Sequence, residues 1–152
     1  MDTPSTARPP EMLRADFATE LSTAGRRMRT VFDGLVRKRG LTLSRARALL
    51  LLQNQRAMNQ TELAGLLEIE GPTVVRLLDG LEKQGLITRS TSGHDRRVKQ
   101  IKLTDAARAQ VAEVEAIVET VRAAMLNDIE DAELDAAMRV LSRVIHNLDT
   151  AF

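Results

Sequence analysis

Apolar residues Phe17, Leu21, Ala24, Met28, Val31 and Leu35 recur at alternating spacings of four and three. That is one helix face sustained over five turns. The basic run Arg37, Lys38, Arg39 followed by Gly40 suits a helix end, through the helix dipole and a left-handed cap. The spacing predicts a first helix over about residues 11–39. Thr42 is expected to cap a second helix running to about Gln55, with Leu49, Leu50 and Leu52 on its apolar faces. Asn59 with Glu62 three residues on has the capping-box pattern, and Leu63, Ala64, Leu66 and Leu67 make the helix behind it amphipathic. At Glu70-Gly71-Pro72 the chain breaks, with Gly71 the expected N-cap and Pro72 the first helical residue. Val74, Leu77, Leu78 and Leu81 then bury one face of a helix that Gly85 closes.

Leu86–Thr91 and Val98–Leu103 are β-prone runs around Ser92-Gly93-His94-Asp95-Arg96-Arg97, which predicts a β-hairpin with a basic tip. Thr104 is expected to cap another long helix with the stripe Val111, Val114, Val118, Val121, Met125. A polar break at Asn127–Asp131 precedes a last helix with the stripe Leu134, Met138, Leu141, Ile145, Leu148. Helix, turn, helix, hairpin is the order of a winged helix-turn-helix. The predicted fold class is therefore mainly α with a small β-wing. A winged helix-turn-helix DNA-binding domain would occupy residues 42–103, a helical dimerisation region 11–41 and 104–152, and a loose tail 1–10. Periodicity alone leaves open whether the long helices form an intramolecular bundle or a dimer interface. A head that reads DNA favours the dimer, because a two-fold protein matches a palindromic site.

Net charge is only +1, but its distribution is uneven. Residues 1–58 carry 11 basic and 5 acidic side chains, residues 104–152 carry 4 and 10. Such asymmetry gives one pole that can approach a polyanion and one that cannot. Between positions 88 and 102, Arg89, Arg96, Arg97, Lys99 and Lys102 oppose only Asp95. Phe17, Phe32 and Phe152 are the whole aromatic complement, so the stacking platforms of single-strand and RNA readers are missing and duplex DNA is the favoured nucleic acid. With no cysteine, disulfides, thiolate metal sites and thiol switches are excluded. The absence of a signal-peptide pattern and of a long apolar run leads us to expect a cytoplasmic protein without membrane spans.

On the helix after Pro72, Thr73 and Arg76 lie outward, three apart, in the half where such helices touch base edges. Arginine can bond guanine O6 and N7 together, and threonine can meet a base edge or a thymine methyl. Arg96 and Arg97 are candidates for the minor groove, with Asp95 placed to hold one of them, and Lys99 for phosphate. Arg26 and Arg27 flank Met28 on the apolar stripe and form with it a candidate ligand-facing set; snorkelling along the helix flank is the plainer role for each arginine. His94 and His146 lie far apart, and Glu113, Glu115 and Glu119 read as a solvated face. No spacing matches a zinc site, a catalytic triad or a phosphate loop, so neither an enzyme nor a cofactor is expected.

The stretches Ile69-Glu70-Gly71-Pro72-Thr73-Val74-Val75-Arg76-Leu77-Leu78-Asp79 and Leu81–Arg89 resemble the recognition helix of the MarR family. The wing Asp95-Arg96-Arg97-Val98-Lys99-Gln100-Ile101-Lys102-Leu103-Thr104 strengthens the resemblance, which is closest to the SlyA branch and strong over 42–104. It implies a triangular homodimer with interleaved terminal helices and one head per half-site of a palindromic operator. Thr73 and Arg76 would read the major groove, Arg97 the minor groove, and Asp95 would orient the wing. It also implies a repressor released by a small-molecule effector, often an aromatic carboxylate or its thioester, bound among the first helix, the Thr42–Gln55 helix and the helix after Thr104. The peroxide-sensing branch needs a cysteine and is excluded. A constitutive architectural, anti-silencing DNA protein without a ligand remains an alternative, as does a winged helix used only for protein contact.

Overall fold

The computed structural model describes residues 9–54, 58–91 and 99–152. The chain divides into two compact units, Met1–Val121 and Arg122–Phe152. In the first unit, α1 (Pro10–Arg37) opens on Pro10 and ends where Gly40 takes φ +73°, the left-handed conformation expected of it. Thr42 caps α2 (Leu43–Asn54), its hydroxyl accepting from the Arg45 amide at 3.3 Å. A two-residue strand, β1 (Met58–Asn59), comes next and has no counterpart in the expected order.

The capping box forms as read: Asn59 Oδ1 accepts from the Glu62 amide at 2.9 Å, and Glu62 Oε2 accepts from the Asn59 amide at 2.8 Å. It starts α3 (Gln60–Leu67). The recognition-helix candidate is α4 (Gly71–Lys83), and its N-cap is Glu70 rather than Gly71. Glu70 holds the extended backbone a cap requires, and Pro72 sits one position further in, where its missing N–H is still one the helix cannot use. Gly85 has φ +71° beyond the end of α4.

Strands β2 (Ile87–Thr91) and β3 (Lys99–Leu103) pair antiparallel in the register Ile87–Leu103 to Thr91–Lys99. Met58 of β1 pairs with Ile101, which makes β3 the central strand. The hairpin tip between them lies outside the described residues, as do its Asp95, Arg96 and Arg97. Thr104 does not cap the next helix with its side chain: a 3₁₀ turn (Asp105–Ala107) intervenes before α5 (Arg108–Met125). Its hydroxyl is engaged elsewhere, with Gly85.

Two apolar cores fill this unit. One packs Leu49, Leu52, Met58, Leu63, Leu67, Val74, Leu78, Leu81, Ile87, Ile101 and Val111 beneath the helix-turn-helix and the sheet. The other joins Val36, Leu41 and Ala46 to Val114 and Ile117. Each fully buried Leu or Ile contributes on the order of 1.5–3 kcal/mol. On α5 the inward residue of the third turn is Ile117, whereas Val118 of the expected stripe is only half-buried. The second unit holds the end of α5 and α6 (Asp131–Ala151), which a Glu130–Glu133 capping box opens. Leu134, Leu141 and Val144 are half-buried there, while Met138, Ile145 and Leu148 are exposed.

Candidate nucleic-acid interface

Helix α4 owes its orientation to residues on three sides. Val74, Leu78 and Leu81 anchor its inner face with no exposed surface. From α2, half-buried Arg47 donates to the carbonyls of Leu66 and Leu67 at 3.1 and 3.2 Å, satisfying the C-terminal end of α3. Glu68 at that end takes φ 57° and turns the chain toward α4. Arg45, two residues before Arg47, donates to the side chain of Gln84 just past α4. Thus α2 holds the ends of both helices of the reading motif.

The outer face of α4 carries Thr73 and Arg76, both exposed, within its first two turns. Among the described residues neither side chain has a hydrogen-bond or ion-pair partner. Lys99 is exposed at the start of β3, opposite Thr91. Together these put a donor-rich helix face and one strand lysine on the same unit. Among the described residues, Arg89 of β2, unlike Lys99 and Lys102 of β3, is paired. It is engaged by Glu82 and Asp79 of α4, with Nε at 2.9 Å from Glu82 Oε2 and Nη2 at 2.7 Å from Asp79 Oδ1. Its hydrogen bond is the chief reason the Glu82 carboxyl is held below its ordinary value, and the two carboxylates push Arg89 further up. The positive excess read along residues 88–102 is smaller in space than in sequence.

A family model for the MarR family matches residues 41–99. A solved structure of the transcriptional regulator PA3341 is 40% identical, covering 88% of this chain and 98% of its own, with a TM-score of 0.81. This chain belongs to the MarR family. Two further structures share its winged-helix fold. One is a MarR-family transcriptional regulator from Silicibacter pomeroyi, 24% identical over 84% of this chain and 86% of its own, at TM-score 0.74. The other is BpsR of Bordetella bronchiseptica, 22% identical over 94% and 97%, at TM-score 0.67, whose DNA binding is regulated by 6-hydroxynicotinic acid. At those identities the likeness carries the fold alone.

Arg26, Arg27 and Met28 are all exposed on α1, Arg26 donating to Thr23 Oγ1 at 3.3 Å. They do not line the open depression of about 370 Å³ between α1 and the start of α2. That depression is lined by Arg29, Thr30, Asp33, Arg37, Thr42 and Ser44, among others. Arg37 Nε donates to Asp33 Oδ2 at 2.9 Å, and Asp33 Oδ1 is shielded from solvent without a partner. Arg29 lies 3.7 Å from Glu68. Among the described residues no three His, Asp or Glu side chains gather as a metal site, and no helix is long and apolar enough to cross a membrane.

Proposed function

We propose that this MarR-family protein is a sequence-specific, double-stranded DNA-binding transcription regulator that works as a homodimer, a repressor released by a small anionic ligand. The observation that carries the DNA reading is the exposed, unengaged pair Thr73 and Arg76, three residues apart in the N-terminal half of α4, the half that helices of this kind turn to base edges. Lys99 of β3, and Arg96 and Arg97 with Asp95 beyond it, supply the wing's contacts to phosphate and minor groove in this reading.

Dimerisation is supported by apolar surface that a lone chain leaves wet. Phe17, Leu21, Met28 and Val31 are exposed on α1, and Met138, Ile145 and Leu148 on α6. Stripes of this size usually mark an interface. A ligand role is supported by the depression beside Arg29 and Arg37, whose guanidinium groups suit a carboxylate. That BpsR responds to an aromatic acid makes acids of that class the first to try. Release would follow if ligand binds preferentially to a head spacing that fits successive major grooves poorly.

The test is fluorescence anisotropy with the gene's own upstream duplex and a scrambled control, at two salt concentrations, for wild type, Arg76→Ala and Arg97→Ala. Selective binding that both substitutions weaken supports a specific regulator. Equal binding to both duplexes would indicate an architectural protein, and no binding at low salt would remove the DNA assignment. Aromatic acids that leave both DNA affinity and melting temperature unchanged would count against a ligand-released repressor.

A further inference from the structure

Thr73, Arg76, Asp79 and Glu82 fall every third residue along α4 and form one oblique row on its surface. The first two are free to meet a base; the last two are gripped by Arg89 of β2. Arg89 pairs across the sheet with Ile101 of the central strand, whose side chain is buried in the core of the head. The guanidinium therefore reaches from a fixed strand to the row it holds. Its side chain is only 20% exposed, against 57% for Asp79 and 40% for Glu82. The cation is covered while the carboxylates stay reachable, the reverse of what a phosphate contact needs.

We propose that Arg89 is a positioning residue for DNA reading: by holding Asp79 and Glu82 it sets the angle of the Thr73–Arg76 end of α4 against the hairpin, and it touches no phosphate. The proposal rests on the DNA-binding reading above. It makes a prediction opposite in sign to plain electrostatics. Two carboxylates on the helix that carries Thr73 and Arg76 repel a polyanion at that helix, so neutralising them should tighten binding if charge were all that mattered. If their task is to be held, neutralising them loosens it. Arginine suits this task because one planar fork meets two carboxylates at once, which lysine cannot reproduce.

The experiment uses the full chain and its upstream duplex across a range of salt concentrations. The variants are Asp79→Asn/Glu82→Gln, Arg89→Gln, Arg89→Lys and the exchange Glu82→Arg/Arg89→Glu. The carboxylate double variant and Arg89→Gln should each weaken binding on the order of 10-fold while the slope of log affinity against log salt stays at the wild-type value. The exchange should recover part of the loss and Arg89→Lys less. Melting curves check that each variant folds, and the exchange keeps the test open should a single variant unfold. Tighter or unchanged binding by Asp79→Asn/Glu82→Gln would overturn the proposal. So would a slope reduced by about 0.9 in Arg89→Gln, the mark of one lost phosphate contact. A wild-type protein that binds no duplex at low salt would instead remove the DNA reading itself, and the positioning role with it.

Discussion

The Thr104 hydroxyl donates to the Gly85 carbonyl at 2.5 Å, and the Thr104 amide donates to the Leu86 carbonyl at 3.0 Å. The two residues are the exits of the wing and of α4, so the hairpin closes on the end of the helix it flanks. Thr104→Val keeps the shape and removes the donor; it should lower unfolding free energy by about 1 kcal/mol in urea denaturation. At Gly85 no atom stands within 4 Å of an added Cβ, so only its positive φ opposes substitution. Gly85→Ala is expected to cost about 1–2 kcal/mol, and Gly85→Asn less, measured the same way.

Arg76 and Lys99 should be separable by how they fail. Arg76→Ala is expected to lose about 1–3 kcal/mol of binding, concentrated at one base pair of the site. Lys99→Ala should weaken all duplexes alike and reduce the salt slope by about 0.9. A panel of single-base operator variants titrated at several salt concentrations distinguishes the two patterns.

Glu82 offers a direct reading of the Arg89 contact. Because its folded value is lowered, mainly by the hydrogen bond from Arg89, the contact's contribution is complete above the ordinary carboxylate value of 4.5. It is lost as pH falls through the lowered one. Carboxyl carbon NMR should give a midpoint for Glu82 below 4.5 in the wild type, and Arg89→Gln should move it upward. A midpoint that ignores the substitution would show that the two groups do not meet in solution.

Ile145 and Leu148 are exposed on α6, and a paired interface there would be broken by charge. Sedimentation velocity should find the wild type dimeric and Ile145→Glu/Leu148→Glu monomeric. A double variant that stays dimeric would move the interface off this face.

What could be read from the sequence was what local chemistry determines. The Asn59–Glu62 capping box, the turn at Gly85 and the inward residues Val74, Leu78 and Leu81 depend on neighbours within one or two turns, and each stands where the pattern put it. The pairing of Met58 with Ile101 depends on residues 43 positions apart, and a two-residue strand leaves no period to detect. Ile117 and Val118 are adjacent and both apolar, so only the packing of Val36 and Leu41 decides which turns inward. Within the candidate site, Thr73 and Arg76 were legible as outward positions of a strongly patterned helix. Arg89 was counted as free positive charge because its partners stand seven and ten residues away on another element, where charge summed along the chain cannot see them.

The short strand at Met58–Asn59 ties together parts that are often pictured separately. Asn59 belongs to the edge of the sheet through its register with Gln100, and its side chain also closes the first turn of α3. Met58 beside it is fully buried in the core that Leu63, Leu78 and Ile101 share. The wing base is therefore not an arm hung on a finished helix-turn-helix. Peeling β3 away would uncap α3 and open the core in the same event, so these elements should lose amide protection as one cooperative block, and whatever displaces the hairpin's base also loosens the core on which α4 rests.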